Sequence, residues 1–290
     1  MNYGFYLAKQ AGFEDFLFNT HHLPQEIERY AEKLRPMAQT LNISSENNEI
    51  LGSAGAIWKA RDLLKNHDYF LVANGDEILI PTDPKVLKHL VSQFHNDNSL
   101  CTLLTCEHPE LLKTLKAVWV DKNNHVQGFG MDKPRDDLKP VHYTGYKVFS
   151  KKILDLIPPG ESNIFYDVLI KAIAQGSTVT IHHLENCHWY ETGNFNSFME
   201  AGQTIVQDHL GVLNEIQNFF GQSIEVIRDD QGNQLVIPGN TPPPKELVFR
   251  GFNVLGANVK WQGPAVIENV VVCDQATINA NADLKNTFVF

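Results

Sequence analysis

An apolar segment typical of a buried strand, Tyr69–Ala73, is followed directly by Asn74-Gly75-Asp76. In an open α/β sheet, ligands bind beyond the carboxyl ends of the strands. A carboxylate in such a place suits Mg²⁺, which takes one or two protein carboxylates together with water and phosphate oxygens. Gly75 would let the backbone approach a ligand closely. The tripeptide is also typical of a simple turn, so it indicates a site only in combination with other features.

A second candidate site is the small-residue segment LGSAG at residues 51–55, which opens a predicted helix over residues 56–65. The N–H groups and the positive dipole end of a helix N-terminus can bind an anion or the edge of a base. The alternative is a helix capped by Ser53 and preceded by flexible glycines. The spacing matches neither GxGxxG nor the phosphate loop GxxxxGK[ST], which argues against both of those nucleotide sites.

The histidines and cysteines give no further candidate site. Adjacent histidines on a strand point to opposite faces and no HxxxH spacing occurs, so structural roles are favoured over a metal site. The cysteines suggest free thiols, and those in apolar strands are expected to be buried. Asp167 is interpreted as a surface or capping carboxylate. The residues considered are His21, His22, His182, His183, His188, Cys101, Cys106, Cys187 and Cys273.

The elements that must position these residues alternate between helix and strand over the first two thirds of the chain. Helical spacing or strand-like apolar runs are found in turn at residues 2–11, 13–20, 24–34, 56–65, 69–73, 84–95, 100–106, 116–120, 143–149, 165–175 and 178–184. This alternation predicts an α/β fold in three layers, with a mostly parallel sheet covered by helices on both faces. A longer helix is predicted over residues 197–220.

A six-residue spacing begins at Leu255 and continues through Trp261, Ile267 and Cys273. Hexads are typical of a parallel β-helix, in which each short strand sends one apolar or small side chain into the core. We therefore expect a short left-handed parallel β-helix, and the alternative is an ordinary sheet with turns. The predicted organisation is a first domain over residues 1–220, a linker region over 221–250 that includes a Pro-rich stretch, and the β-helix over 251–290.

Composition excludes several classes of protein. The 290 residues include 24 Lys+Arg and 34 Asp+Glu, a net charge of −10 without basic clusters, which argues against a duplex nucleic-acid binder. No apolar run has the length needed to cross a bilayer, and the N-terminus resembles no signal peptide. Four cysteines without CxxC spacing fit a reducing compartment. We expect a cytoplasmic protein with no nucleic-acid or membrane partner.

Five motifs in a fixed order carry a family resemblance. They are LGSAG at 51–55, NGD at 74–76, MDKP at 131–134, YTGYKVF at 143–149 and WYETG at 189–193. In this order they resemble the sugar-1-phosphate nucleotidyltransferases, and the mannose-1-phosphate guanylyltransferases among them. The resemblance spans nearly the whole chain and includes NTHHL at 19–23. It implies a GT-A-like, Rossmann-like catalytic domain followed by a hexapeptide β-helix.

The resemblance implies a role for individual residues. Gly52, Ser53, Ala54 and Gly55 match the segment that contacts the base and ribose of the nucleotide. Asp76 matches a catalytic Mg²⁺ ligand, and Glu191 lies where the family usually has an Asp as the second ligand. Lys133 matches a catalytic lysine that neutralises the sugar phosphate. The implied sugar-binding residues are Asn74, Gly75, Asp132, Thr144 and Gly145.

The implied reaction joins an NTP and a sugar 1-phosphate, with Mg²⁺ as cofactor, and the first expected pair is GTP with mannose 1-phosphate. Two departures from the family pattern concern the sugar: Asp132 replaces a usual Glu, and Lys116 lies near a usual glycine. Glu191 in place of Asp is expected to shift the position of the cation. A homo-oligomer formed through the β-helix is a further expectation.

The family's N-terminal loop, of the form GxGTRLxPxT, has no counterpart in the sequence. Because that loop neutralises charge during transfer, the 290-residue chain is expected to release no pyrophosphate from GTP and mannose 1-phosphate. In one hypothesis Met1 is an internal methionine of an ordinary nucleotidyltransferase. In another the chain is a non-catalytic nucleotide-sugar-binding or regulatory paralogue. A hexapeptide acyltransferase is a third, weaker alternative, since the hexads show no evident catalytic histidine.

Overall fold

The computed structural model describes residues 2–46, 49–239 and 241–290, so the hypothesis about Met1 lies outside the described residues. The α-helices are α1 (Asn2–Ala11), α2 (Pro24–Leu34), α3 (Gly52–Lys59), α4 (Arg61–Leu64), α5 (Val86–Asn96), α6 (Ile170–Ala174), α7 (Phe195–Asp208) and α8 (Leu210–Phe219). A π-helical segment, Ile164–Leu169, leads into α6. None of the described helices is both long enough and apolar enough to span a bilayer.

The strands are short except for β8, β16 and β18. They are β1 (Asp15–Thr20), β2 (Thr40–Ser45), β3 (Tyr69–Ala73), β4 (Glu77–Pro81), β5 (Cys101–Cys106), β6 (Ala117–Val120), β7 (Val126–Gly130), β8 (Lys139–Ser150), β9 (Val179–Leu184), β10 (Cys187–Glu191), β11 (Ile224–Arg228), β12 (Gln234–Pro238), β13 (Leu247–Arg250), β14 (Phe252–Leu255), β15 (Lys260–Trp261), β16 (Ala265–Val272), β17 (Thr277–Ile278) and β18 (Ala282–Val289).

The chain forms two compact units. The first unit comprises residues 1–75 and 81–188, and the second comprises residues 76–80 and 189–290. The first unit contains the alternating helices and strands. The second contains α7, α8 and the C-terminal strands, together with the short segment that follows Gly75.

The main sheet of the first unit is mixed, with strand order β7-β6-β8-β5-β9 and with β3 also paired to β8. β8 runs antiparallel to β3, β5 and β6, and among the described strands of this sheet only β5 and β9 pair in parallel. The prediction of a mostly parallel sheet is therefore wrong. The physical reason is that β8 is buried along most of its length, as a parallel strand would be, and burial carries no information on strand direction. β1 and β2 form a separate parallel pair.

The core of the first unit is built from these strands and the helices that cover them. All six side chains of β5 are buried, as are most of those in β8. Each fully buried aliphatic or aromatic side chain contributes about 1.5–3 kcal/mol relative to exposure. The largest members of this cluster with almost no exposed surface are Leu103, Phe149, Ile153, Ile164, Leu169 and Ile181.

The second unit differs from the predicted linker and β-helix in its boundaries. Residues 221–250, predicted as a linker region, contain β11, β12 and β13. The single helix predicted over 197–220 is two helices, α7 and α8, which meet at His209. Apolar spacing continues across this junction, so the break cannot be predicted from the apolar pattern.

The hexads correspond to parallel strands stacked at a repeat of 17 residues. Ala265 pairs with Ala282 and Lys260 with Thr277, both in parallel. Side-chain hydrogen bonds follow the same repeat, because Asn269 Nδ2 donates to Asn286 Oδ1 at 3.3 Å with a separation of 17 residues. The parallel stacking agrees with the predicted pattern, whereas closure of the strands into a β-helix stays a prediction.

Candidate functional site

The LGSAG segment lies inside a helix. α3 begins at Gly52, four residues before the predicted start, and no side chain caps it. Ser53 Oγ instead accepts the backbone N–H of Ile164 at 2.9 Å. The interpretation of Ser53 as a helix cap is therefore wrong, and its hydroxyl joins α3 to the π-helical segment.

The carbonyl oxygen of Ser162 binds two amides of this segment. It accepts the N–H of Ala54 at 2.9 Å and the N–H of Gly55 at 3.4 Å, while Ser162 N–H donates to Leu51 O at 2.9 Å. The amides of Ala54 and Gly55 are thus engaged within the protein. The amides to consider for an anion or a base edge are those of the first two helical residues, Gly52 and Ser53.

Glycine is required at two positions of α3 by close backbone approach. A Cβ added to Gly55 would lie 2.4 Å from Gly160 O, and a Cβ added to Gly52 would lie 2.7 Å from Ser162 O. Gly52 also has φ +70°, a conformation that residues with a Cβ rarely adopt. These glycines hold α3 against the segment around residues 160–162 and are not simply flexible.

Glu46 is a site residue that the sequence reasoning missed. It is 3% exposed, and its two oxygens accept Leu51 N–H and Asn19 Nδ2, each at 2.7 Å. Its own N–H donates to Thr20 O at 2.7 Å. The carboxylate thus joins the ends of β1 and β2 to the residue preceding α3. Polar residues at the carboxyl ends of neighbouring strands were the available signal.

Part of the predicted sugar-binding set is brought together at the end of β3. Asn74 N–H donates to Gly145 O at 3.1 Å, so Asn74, Gly75 and Gly145 lie next to one another. Thr144 is buried, and its hydroxyl donates to Leu104 O at 3.0 Å. The Thr144 side chain therefore stabilises the sheet. A sugar contact at this point of β8 would have to come from the backbone.

Asp132 and Lys133 lie on the exposed loop after β7. The ammonium group of Lys133 donates to the carbonyl oxygen of Asp136 at 2.6 Å, within the same loop. Because Lys133 and Asp136 are both exposed, the ammonium group can exchange this hydrogen bond for one to a phosphate oxygen at little cost in free energy. The structure thus leaves Lys133 available for the role that the resemblance implies.

In the second unit, Asp76 and Glu191 face a common point. A Cβ added to Gly193 would lie 3.3 Å from Glu191 Oε1 and 3.7 Å from Asp76 Oδ2. Thr192 holds the two segments together, since its N–H and its hydroxyl both donate to Asp76 O, at 2.8 and 2.6 Å. Trp189 adds a bond from Nε1 to Glu77 Oε2 at 3.2 Å.

These two carboxylates fit a hard cation. Mg²⁺ is commonly bound by one or two protein carboxylates, with water and phosphate oxygens completing its coordination. The missing side chain of Gly193 leaves space beside both carboxylates, which a larger residue would fill. In the part of the chain that the structure describes, no group of three His, Cys, Asp or Glu residues is placed to hold a metal, so the fit rests on Asp76 and Glu191.

The chain is similar in sequence to known nucleotidyltransferases. A family model described as "Nucleotidyl transferase" matches residues 1–208. The chain is 24% identical over 311 aligned residues to a UTP–glucose-1-phosphate uridylyltransferase of Synechocystis sp., covering 98% of this chain and 77% of the relative. It is 26% identical over 194 residues to the mannose-1-phosphate guanylyltransferase catalytic subunit beta of Dictyostelium discoideum, covering 66% of this chain and 51% of that one.

Solved structures share the fold. HddC from Yersinia pseudotuberculosis, complexed with GMP-PN, superposes with a TM-score of 0.55 at 18% identity, over 70% of this chain and 84% of that chain. The inositol-1-phosphate CTP transferase from T. maritima gives a TM-score of 0.54 at 20% identity, over 67% of this chain and 76% of that chain. At these identities the likeness establishes the fold alone.

Proposed function

Because the chain belongs to the nucleotidyl transferase family, we propose that it joins an NTP and a sugar 1-phosphate into a nucleotide-diphosphate sugar and releases pyrophosphate. The observation that carries this proposal is the pair of carboxylates, Asp76 and Glu191, that face one point beside Gly193. A two-carboxylate site of this kind suits Mg²⁺ bound together with phosphate oxygens. The ordered motifs supply the remaining residues.

In the proposed reaction, an oxygen of the sugar phosphate attacks the α-phosphorus of the NTP in line, and pyrophosphate leaves. Such transfer needs alignment and charge neutralisation more than covalent help from the protein. Asp76 and Glu191 would hold Mg²⁺, which when bound neutralises charge on phosphate oxygens. Lys133 would exchange the carbonyl of Asp136 for the phosphate of the sugar.

The segment Gly52–Gly55 would hold the base and ribose. Ser162 and Glu46 fix this segment before any ligand arrives, through the hydrogen bonds to Ala54, Gly55 and Leu51. A binding segment that is already ordered loses less conformational freedom on binding, which favours affinity. Asn74, Gly75, Asp132 and the backbone at Gly145 would contact the sugar.

Two substrate pairs deserve testing first. GTP with mannose 1-phosphate is our first proposal, on the basis of the LGSAG segment. UTP with glucose 1-phosphate is the second, since the relative that covers 98% of the chain is named for that pair. The replacement of the family's usual Glu by Asp132 shortens the side chain expected to contact sugar hydroxyls, and this bears on the choice of sugar.

The test combines ligand binding with turnover. Thermal shift measurements with each of four NTPs, with and without Mg²⁺, should show Mg²⁺-dependent stabilisation by one NTP above the others. Pyrophosphate release is then measured with that NTP and each sugar 1-phosphate. Release with one pair confirms the transferase and overturns the expectation that this chain is inactive. Selective binding without release supports a non-catalytic nucleotide-sugar-binding protein, and no binding of any NTP contradicts the proposal.

Matched variants locate the cation. Asp76→Asn and Glu191→Gln should each remove the Mg²⁺-dependent part of the NTP stabilisation. Asp230→Asn, at an exposed carboxylate of the same unit, should leave it unchanged. If all three variants behave like the unaltered protein, Asp76 and Glu191 are not the ligands.

The C-terminal strands support a structural proposal beside the chemical one. We propose that they close into a short left-handed parallel β-helix and that two or more copies associate through it in the cytoplasm. Support comes from the parallel pairing at a 17-residue repeat and from left-handed backbone at Asn258 and Gln275 in turns and at Asn269 within β16. Sedimentation equilibrium tests the association, and a monomer at all concentrations would contradict it.

A further inference from the structure

Two cysteines far apart in sequence meet at one end of the sheet of the first unit. Cys106 is the last residue of β5 and pairs with Leu184, the last residue of the parallel strand β9. The chain then turns through Glu185 and Asn186 and returns at Cys187, the first residue of β10. The two thiols are close enough for each to shift the pKa of the other.

The two thiols differ in their access to solvent. Cys106 is 1% exposed, whereas Cys187 is only partly buried. The turn between the strands is held by Thr82, whose hydroxyl donates to Asn186 O at 3.1 Å. A reagent in solution can therefore reach the thiol of Cys187, whereas burial shields the thiol of Cys106 from the same reagent.

The hydrogen bond between the thiols also differentiates their acidity. Donation from the Cys106 thiol lowers the pKa of Cys187, while the same bond and burial raise the pKa of Cys106. The thiolate is the reactive form of cysteine, and redox-sensitive cysteines combine thiolate character and exposure with a second thiol nearby. Cys187 has the attacking role and Cys106 the resolving role in such a pair.

We propose that Cys106 and Cys187 form a reversible disulfide when the protein meets a hydroperoxide. In the first step the sulfur of Cys187 attacks one oxygen of hydrogen peroxide and the O–O bond breaks. That oxygen stays on Cys187 as a sulfenic acid, and the other oxygen leaves as water. In the second step the sulfur of Cys106 attacks the sulfenic sulfur and the hydroxyl group leaves as a second water. The two thiols lose two electrons and the peroxide gains them. A dithiol reductant reverses the oxidation.

The location gives this disulfide a consequence for the rest of the chain. β10 begins at Cys187 and ends at Glu191, so the bond would fix the first residue of the strand whose last residue is a proposed Mg²⁺ ligand. The formation of the bond itself depends only on the two sulfurs. The proposal of the disulfide is therefore independent of whether the proposed transferase function is correct.

The test is peptide mapping of the full chain after hydrogen peroxide treatment and alkylation of the remaining thiols. We expect a peptide containing Cys106 to be linked to one containing Cys187, with a loss of two hydrogens that dithiothreitol restores. Cys101, which has no exposed surface, should remain a free thiol. The mapping needs no variant, so it does not depend on how a substitution affects folding.

Variants separate the two roles. Cys187→Ser should abolish the linkage, and Cys273→Ser should leave it intact. Cys106→Ser, or Cys106→Ala if the serine variant folds poorly, should leave a sulfenic acid on Cys187 that dimedone labels. Alkylation of both Cys106 and Cys187 after peroxide treatment, or a linkage that requires Cys273, would overturn the proposal.

Discussion

The carboxylate of Glu46 accepts the backbone N–H of Leu51 at 2.7 Å, at the point where the chain enters the first helix of the candidate nucleotide site. Its second oxygen accepts Asn19 Nδ2 at the same distance. With 3% of its surface exposed, this side chain can be replaced only by a group that satisfies the same two donors.

Glu46→Ala should therefore lower the free energy of unfolding and weaken NTP binding. Loss of the acceptor leaves two buried donors unsatisfied, which costs about 1–3 kcal/mol each. The variant should bind its NTP at least about tenfold more weakly, since 1.4 kcal/mol corresponds to a factor of ten. Isothermal titration calorimetry measures the affinity, and urea unfolding measures the stability.

Glu46→Gln is the matched control for this prediction. Its amide oxygen can accept Leu51 N–H, and its amide nitrogen can donate to Asn19 Oδ1 once the Asn19 amide is reversed. NTP affinity should then stay within a few-fold of the unaltered protein. Equal losses in both variants would show that the negative charge of Glu46, and not its hydrogen bonding, is what matters.

Gly193→Ala should weaken Mg²⁺ binding without lowering stability in the absence of Mg²⁺. The added methyl group would lie 3.3 Å from Glu191 Oε1, a tight contact that turns the carboxylate away from the point it shares with Asp76. The backbone at Gly193 is not in the left-handed region, so alanine is tolerated there. Titration of Mg²⁺ against the NTP-bound protein measures the effect. An unchanged Mg²⁺ dependence would place the cation elsewhere.

Gly55→Ala should destabilise the first unit, although alanine normally favours a helix over glycine by about 1 kcal/mol. The added Cβ would meet Gly160 O at 2.4 Å, so the backbone around residue 160 must shift, at a cost of about 1–3 kcal/mol. Gly211→Ala in α8 is the control, because a Cβ there meets nothing within 4 Å and should be neutral or stabilising. Thermal unfolding compares the two, and equal melting temperatures would contradict the packing argument.

Stability should fall as the pH is lowered from about 6.5 to about 4. Burial, with a smaller contribution from the charge on His108, lowers the pKa of His142 from 6.5 to about 4. Between these pH values the unfolded chain binds a proton at His142 that the folded protein does not bind. The contribution of neutral His142 to the free energy of unfolding is therefore fully present above pH 6.5 and is lost progressively as the pH falls. A shift of this size corresponds to about 3 kcal/mol.

Urea unfolding at several pH values checks this dependence. His142→Gln should flatten the slope between pH 6.5 and 4, whereas His22→Gln, at an exposed position, should leave it unchanged. A slope that persists in His142→Gln would assign the acid sensitivity to other groups, among them His182 and His183, whose pKa values are also lowered by burial.

Sequence patterns predicted the elements of the first unit better than their arrangement. The bounds of α1 and α2 follow directly from apolar spacing and agree with residues 2–11 and 24–34. The direction of β8 could not be derived, because a strand buried on both faces has the same composition whichever way it runs. The early start of α3 was missed for a related reason: two glycines indicate a loop, although here close backbone packing requires them.

For the candidate site, motifs located residues but not their hydrogen-bond partners. The structure brings Asp76 and Glu191 to one point, which the order of motifs implied. Neither motif nor spacing indicated that the Thr144 hydroxyl donates to a carbonyl of the sheet. Nor did they indicate that the Glu46 carboxylate accepts the N–H of Leu51, the residue before α3. Such contacts join residues from separate elements, and a single sequence contains no signal of which distant donor meets which acceptor.

The position of β8 determines the order in which the sheet of the first unit can assemble. β3 and β5 both pair with β8, and in the part of the chain that the structure describes they are joined to each other only through it. Until residues 139–150 leave the ribosome, these two strands have no partner in common, and their edges stay open to wrong pairing. The loop closures that complete the sheet bring Tyr69 to Ser150, far along the chain, so they are slow. Chaperone dependence during synthesis is thus expected to fall when β8 emerges and to end once β9 covers the other edge of β5.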